Sequence, residues 1–387
     1  METPTKKPHT EIDMKPPPPP PPCFDFHDYP RERCKIPVFR SRSGRSRTRD
    51  TWIIVVFVLL YIAAFIYTMV VNNCGKESNG DCAIKAFGRV SFQPLYENPL
   101  LGPSASTLDK VGALRRIHLT EYGQTWRLFV CPWLHAGAVH LIMNLGSILF
   151  IGLFLEKEFG SLRVGIIYIL SAFVGSLVTA IFVRNSPAVA SSGALFGLLG
   201  AMLSGLIQNW KIYTHKFAAL VLLFFLSAIN LALGLLPYVD NFSNIGGFIS
   251  GLLLGLVLFF NPELRQLAQT KAGLFEDNVK SFMKFKLKLD RPVLRIVSLL
   301  LFGLVFAGCL VAVLRGININ QYCGWCRYIN CVPSKRWSCN EITASCETMA
   351  SDAQMTLTCM ANGNFKIFPY INISEERITD LCTLICS

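Results

Sequence analysis

The sequence predicts an all-α polytopic membrane protein, and three observations carry that prediction. Of its 387 residues, 52% are apolar and only 16% are charged, whereas a soluble domain carries roughly a quarter charged residues. The apolar residues form long runs of membrane-spanning length. The net charge of +12 is concentrated between those runs, where it marks orientation, so we expect a lipid bilayer as partner and no nucleic acid.

Residues 1–50 are predicted to be a disordered cytosolic tail. Seven consecutive prolines at 16–22 are followed by eight Lys and Arg between positions 31 and 50. Such a composition favours a short polyproline II stretch without a core. A ligand for a proline-binding domain is the alternative, although no flanking residues specify one. The tail is too long and polar to be the start of a signal peptide.

Seven transmembrane helices are predicted within residues 51–315, separated by mostly short connections, with a longer first lumenal loop at about 72–136. The basic residues before the first helix place the N-terminus in the cytosol. The segment 261–295 carries eight Lys and Arg against four acids, as a cytosolic connection between the sixth and seventh helices should. The predicted helices are 52–71, 137–155, 162–182, 188–207, 217–236, 243–260 and 295–314.

An odd number of spans places the Cys-rich segment 316–387 on the lumenal or extracellular side. It holds eight of the 14 cysteines, which favours disulfides of open pairing. Cys323 and Cys326 could instead begin a zinc site, but the segment has no histidine. Cys74 and Cys82 in the first loop are also candidates for pairing. The sequon at Asn372 predicts glycosylation if it faces the lumen.

Three polar clusters lie near the predicted lumenal ends of helices, where ionisable and polar groups are expensive and usually functional. His140 and Asn144 share one helical face, the fourth predicted helix carries Ser192 near its start, and the sixth carries Asn244 near its start. Glycines beside them predict close helix packing, and packing alone is the alternative interpretation of each cluster. Together, serine, histidine and asparagine at one depth indicate a nucleophile with oxyanion donors.

Residues 85–345 resemble the rhomboid intramembrane serine proteases of the eukaryotic six-plus-one-helix type, and most of all the plant rhomboid-like branch. The resemblance implies a rhomboid fold with a six-helix core and a seventh C-terminal transmembrane helix, and neither a cofactor nor a metal. The matching motifs are Asn98-Pro99-Leu100-Leu101-Gly102-Pro103, Trp126-Arg127, His135 with His140-x-x-x-Asn144, Glu156-x-x-x-Gly160, Ser192-Gly193-Ala194 with Phe196-Gly197, and Gly247-x-x-x-Gly251.

The resemblance also implies the roles of the site residues. In the family, a serine attacks the scissile carbonyl and a histidine of the sixth helix takes its proton. Ser192 occupies the nucleophile position, and His140 and Asn144 match residues that stabilise the oxyanion. The histidine position is Asn244 here, preceded by Ser243 where the family has alanine, and the glycine that opens the serine motif is Ala190.

The missing histidine decides the functional prediction. No histidine lies beyond His215, and an amide cannot hold a proton near neutral pH, so Asn244 cannot act as a general base. Losing a member of a serine–histidine unit costs on the order of 10⁴–10⁶ in turnover. Asp240, one turn earlier, could substitute only if the start of the helix bends.

The sequence therefore predicts a catalytically inactive rhomboid-like protein that binds transmembrane client proteins. The alternative is an active serine endopeptidase that cleaves type-1 transmembrane substrates within the membrane. A transporter or channel is disfavoured because the predicted spans contain almost no acidic or basic residues. The resemblance implies a secretory membrane, the Golgi or the plasma membrane, and the sequence predicts no oligomeric state.

Overall fold

The computed structural model describes most of the chain between residues 51 and 386. The described ranges are 51–74, 82–84, 88, 90–95, 97–120, 122–184, 186–210, 215–259, 280–330, 346–351, 354–360, 363–369, 378, 381–382 and 385–386, with the backbone alone for 280–291, 321, 327 and 369. The predicted tail 1–50, Cys331, Cys339 and the sequon at Asn372 lie outside these residues.

Within the described residues, seven long apolar helices form the membrane domain, as predicted. Six of them have the length and composition needed to cross a bilayer, and α7 is a shorter apolar helix of 17 residues. Short helices in the first loop are α2 (Ala105–Val111), α3 (Arg116–Thr120) and α4 (Arg127–Val130). The long helices are α1 (Ile53–Asn72), α5 (Ala138–Phe159), α6 (Ser161–Phe182), α7 (Ser192–Gln208), α8 (Lys216–Leu233), α9 (Asn241–Leu258) and α10 (Lys280–Leu314).

Two helix starts depart from the predicted boundaries. Helix α10 begins at Lys280, 15 residues before the predicted start at 295, so it takes in part of the predicted connection 261–295. Helix α7 was expected to start at residue 188 and starts four residues later. The preceding residues are extended instead: Ala188 forms an antiparallel bridge with Leu114, and Val189 forms a parallel bridge with Val239. These backbone pairings satisfy the polar groups of a chain segment that enters the bundle without being helical. The helix consequently begins inside the protein, at Ser192.

Helices α7 and α9 lie in closest contact and run parallel. A Cβ atom built on Gly247 would lie 2.0 Å from the carbonyl oxygen of Gly193, and one on Gly251 would lie 2.0 Å from that of Gly197. The paired positions increase together along both helices, which defines the parallel orientation. Glycine is required here because the backbones touch, as the small-residue faces predict. The first turns of both helices therefore lie at the same end of the bundle.

The opposite end of the bundle is fastened by Glu156 near the end of α5. Its buried carboxylate accepts hydrogen bonds from the backbone N–H groups of Trp52 (2.8 Å) and Ile53 (2.9 Å) and from the Ser161 hydroxyl (2.7 Å). The side chain of one helix thus satisfies the unpaired N–H groups at the start of α1. This contact explains physically why an acid stands at the end of an apolar helix.

The residues after α10 form a short helix, α11 (Arg327–Asn330), and a three-stranded antiparallel sheet. The strands are β1 (Cys346–Ala350), β2 (Gln354–Cys359) and β3 (Phe365–Pro369), in that spatial order. The sequence did not predict the sheet. Disulfides join Cys74–Cys82, Cys323–Cys326, Cys346–Cys382 and Cys359–Cys386. The Cys323–Cys326 pair is therefore a disulfide and not the start of a zinc site.

Candidate functional site

Ser192 is the first residue of α7 and is buried, with 2% of its surface exposed. Its hydroxyl oxygen has no hydrogen-bond partner among the described residues. Ala190 holds the approach to the helix, because its N–H donates to the carbonyl oxygen of Cys131 over 3.3 Å. The serine is thus presented on a fixed backbone, and no base is in contact with its hydroxyl.

Asn244 lies in the first turn of α9, at the same end of the bundle as Ser192, and is fully buried. Its Nδ2 donates to Oδ1 of Asn241 over 2.9 Å. The Nδ2 of Asn241 donates in turn to the carbonyl oxygens of Leu231 (3.1 Å) and Ile329 (2.7 Å). Two carbonyl acceptors fix the orientation of the Asn241 amide, which requires Asn244 to be the donor to it. Asn244 therefore presents Oδ1 as an acceptor, and this oxygen has no hydrogen-bond partner in the described part of the chain.

Ser243 joins the start of α9 to the residues before Ser192. Its hydroxyl donates to the carbonyl oxygen of Ala190 over 3.1 Å. A Cβ built on Gly193 would lie 2.4 Å from the same hydroxyl oxygen, so the side chain fills the space between the two helices. This residue supports the site and does not supply a base to it.

Asp240 caps the start of α9 and does not turn toward Ser192. Its carboxylate accepts the backbone N–H groups of Phe242 and Ser243, the latter over 3.1 Å, and hydrogen bonds from Thr179 and Asn330. Burial raises the pKa of this carboxyl group, while these hydrogen bonds act in the opposite direction. Two of these contacts cap α9 and the other two tie the carboxylate to Thr179 of α6 and Asn330 of α11, so none of its described contacts is with Ser192.

His140 and Asn144 lie on the buried face of α5, as predicted, together with His135 from the preceding loop. The Nε2 atom of His135 lies 3.0 Å from Nδ2 of Asn144, and the rings of His135 and His140 are 5.2 Å apart. Burial, followed by the neighbouring His140, lowers the pKa of His135 well below 6.5. The neutral imidazole therefore accepts from the Asn144 amide.

Tyr61 connects this group to the serine segment. Its ring packs edge-on against His135 at 4.8 Å, and its hydroxyl donates to the carbonyl oxygen of Ser191 over 3.4 Å. The sequence analysis assigned no role to Tyr61 and did not predict its contacts with His135 and Ser191. Helical spacing does not predict these contacts, because Tyr61 belongs to α1 whereas His135 and Ser191 lie in loops before α5 and α7.

The arrangement provides a buried hydroxyl and buried acceptor groups without a proton acceptor for the hydroxyl. The unpartnered oxygens of Ser192, Asn144 and Asn244 can exchange hydrogen bonds with a bound polypeptide. Among the described residues, one cluster has metal-ligand spacing, formed by Cys346, Cys382 and Cys386. All three sulfurs are in disulfides, which do not coordinate as thiolates.

Comparison with known proteins agrees with this geometry. A family model described as a rhomboid domain matches residues 122–261, from the first loop to just beyond α9. The chain is 49% identical over 352 residues to Inactive RHOMBOID-like protein 8 of Arabidopsis thaliana, covering 91% of this chain and 99% of that protein. It is 45% identical over 337 residues to RHOMBOID-like protein 1 of the same plant, covering 87% and 85% respectively.

A more distant relative is Inactive rhomboid protein 1 of Rattus norvegicus, at 28% identity over 317 residues, which covers 80% of this chain and 32% of that protein.

Proposed function

The chain belongs to the rhomboid family, and from that premise we propose that it is a catalytically inactive member that binds the transmembrane helices of client proteins. By the sequence resemblance, Asn244 stands where the family has its histidine, and one observation carries the proposal: the Asn244 amide is oriented by its hydrogen bond to Asn241. An amide oxygen can accept a hydrogen bond from the Ser192 hydroxyl but cannot remove its proton. The printed name of the plant relative at 49% identity includes the word inactive, which supports the same proposal.

Client binding is supported by what the scaffold retains. The α7–α9 contact, the Glu156 cap and the position of Ser192 are all intact although the histidine is missing. The helix α8 is lightly packed, with 17% of its spanning window buried, and it is joined to α5 by a hydrogen bond from Asn230 to the Ser147 hydroxyl over 3.3 Å. A client helix could bind next to α8, because α8 has few buried residues and lies near buried polar atoms that can form hydrogen bonds with the client.

The orientation and compartment belong to the same proposal. We place the N-terminus in the cytosol and the disulfide-bonded C-terminal segment on the lumenal side of a secretory membrane. The membrane that we propose is that of the Golgi or the plasma membrane. The disulfides at Cys74–Cys82 and within 323–386 support an oxidising compartment on that side. Cys74 follows the end of α1, and Cys323 and Cys326 lie in the segment that is bonded to the end of α6 and the start of α9, both at the Ser192 end of the bundle.

A cleavage assay tests inactivity. The unaltered protein and Ser192→Ala are reconstituted with a type-1 transmembrane substrate, beside a triple variant that restores the family residues through Asn244→His, Ser243→Ala and Ala190→Gly. We expect no cleavage that depends on Ser192 in the unaltered protein. Cleavage that Ser192→Ala abolishes would overturn the proposal in favour of the active endopeptidase. The triple variant reports whether the remaining machinery is competent.

A binding assay tests the second half of the proposal. The same substrate helix, carrying a photoreactive residue near its centre, is crosslinked in vesicles to the unaltered protein and to Ser192→Ala. We expect equal crosslinking to both, because binding does not require the hydroxyl to react. An unrelated multi-pass protein at the same density in the vesicles is the control. Crosslinking to the unaltered protein that is no stronger than to this control would overturn the client-binding part of the proposal, even if inactivity were confirmed.

A further inference from the structure

The segment 316–330, which follows α10, is attached by its polar side to the Ser192 end of the bundle. Asn318 donates from Nδ2 to the carbonyl oxygen of Val183 over 2.8 Å, and Asn320 donates to that of Phe182. Both acceptors lie at the end of α6, where carbonyl groups lack helical partners. The first half of the segment therefore caps a membrane helix.

The second half of the segment is attached to the start of α9. The backbone N–H of Asn241 donates to Oδ1 of Asn330 over 2.9 Å, and Nδ2 of Asn330 donates to Asp240. The carbonyl oxygen of Ile329 accepts from Asn241 over 2.7 Å. The Ile329 carbonyl is one of the two acceptors that orient the Asn241 amide and, through it, Asn244.

The attachment points fix the depth of the segment. Helix α6 has 22 residues, and at about 1.5 Å per residue it spans about the thickness of the hydrocarbon core. Its last residues consequently lie at the boundary between acyl chains and headgroups. Because the segment is bonded to Phe182 and Val183, it lies at the same boundary.

The opposite side of the segment is aromatic and exposed. Tyr322 is 86% exposed, Trp325 is 68% exposed and Tyr328 is 51% exposed, at a regular spacing of three residues. The Cys323–Cys326 disulfide closes the turn that carries Trp325. Tyrosine and tryptophan are the residues enriched at membrane interfaces, because each combines an apolar ring with a polar group.

The segment also continues the lipid-facing surface of α10. Only 11% of the spanning window of α10 is buried, and Leu304 and Leu314 are about 70% exposed, at 70% and 68%. An apolar helix surface of this kind faces acyl chains. The chain passes from Leu314 into the segment without a long linker, so the aromatic residues follow directly from a surface in contact with lipid.

We propose that residues 316–330 form an interfacial anchor whose partner is the lipid headgroup layer on the Ser192 side of the membrane. Tyr322, Trp325 and Tyr328 insert into that layer, while Asn330 and the backbone of Ile329 hold the start of α9. The anchor thereby fixes the orientation of Asn244 with respect to the bilayer. This inference concerns the fold at its membrane boundary and does not depend on client binding or on inactivity.

Tryptophan fluorescence tests the anchor in the full chain. Emission of the unaltered protein minus that of Trp325→Phe isolates the signal of Trp325 in vesicles. We expect lipids brominated close to the glycerol to remove most of this difference signal, and aqueous iodide to remove little of it. Strong quenching by iodide with no effect of brominated lipid would overturn the proposal. If adding a client then protected Trp325 from iodide, the residue would contact the client and not the lipid, and the proposal would be overturned as well.

A second measurement tests the connection to the site. Asn330→Ala should raise amide hydrogen exchange in residues 242–246, at the start of α9. Asn320→Ala is the matched control, because it removes an attachment to α6 and should leave 242–246 unchanged. Equal exchange at 242–246 in the unaltered protein and Asn330→Ala would show that the anchor does not hold α9.

Discussion

The contact between α7 and α9 leads to a sharp prediction for Gly251→Ala. The methyl group added at this position would lie 2.0 Å from the carbonyl oxygen of Gly197 and 2.5 Å from its carbonyl carbon and Cα. Ordinary contact begins at 3.4 Å, so the two helices must separate by about 1.4 Å to admit a methyl group of normal size. The obstacle is backbone, which cannot rotate away as a side chain can.

The cost follows from two opposing effects. Overpacking of a well-packed interior costs about 1–3 kcal/mol, and an obstacle made of backbone favours the upper part of that range. Replacing glycine by alanine inside a helix returns about 0.5–1 kcal/mol. We therefore expect Gly251→Ala to lower the free energy of unfolding by about 2 kcal/mol.

Gly146→Ala in α5 is the matched control. A methyl group there meets no atom within 4 Å, so only the helix preference remains, and we expect a gain of about 0.5–1 kcal/mol. The two variants should differ by about 3 kcal/mol. Unfolding in mixed micelles, followed by far-UV circular dichroism as the denaturing detergent increases, measures that difference. Equal stabilities for Gly251→Ala and Gly146→Ala would refute the interpretation of α7 and α9 as helices in backbone contact.

Of four further predictions, three concern contacts among the described residues and the last concerns the sequon at Asn372. Glu156→Gln should lower the free energy of unfolding by about 1–2 kcal/mol in the same assay, because charge-assisted hydrogen bonds to the start of α1 are weakened; an unchanged value would contradict the cap. Ser147→Ala should cost only about 0.6 kcal/mol, the average for an interhelical hydrogen bond in a membrane, and a loss several times larger would mean that Asn230 holds α8 more firmly than its geometry indicates. Because burial raises the pKa of Asp240 above 3.8, the folded protein binds that proton more tightly than the unfolded chain, so stability should fall as the pH rises from 3.8 through the folded pKa; Asp240→Asn should remove this slope in unfolding titrations across pH. Asn372→Gln should abolish a mobility shift on glycosidase treatment of protein from a secretory membrane, and the absence of any shift in the unaltered protein would count against a lumenal C-terminal segment.

Much of the membrane domain could be predicted from the sequence because length and apolarity alone define a spanning helix. The first helix was expected at 52–71 and is observed at Ile53–Asn72. The start of α7 was missed by four residues, since 188–190 are as apolar as a helix but form backbone bridges with distant residues. Pairing with Leu114 and Val239 is a tertiary contact, which hydropathy does not report.

The site was predicted in part for a similar reason. Ser192, His140, Asn144 and Asn244 stand in motifs, so their helices and their common end of the bundle could be expected. The orientation of Asn244 could not, because it depends on the carbonyl oxygen of Ile329, more than 80 positions later in the chain. The sheet after residue 345 also escaped prediction, since cysteine spacing specifies neither strands nor pairing.

The backbone contacts of α7 and α9 have an evolutionary consequence. Glycine and carbonyl groups set the distance between these helices, and the side chains of Ser192 and Asn244 contribute nothing to that distance. A side chain at position 244 can therefore be exchanged while the backbone contact of α7 and α9 stays in place. A scaffold of this kind can outlive its original reaction, and natural selection can keep it for another use.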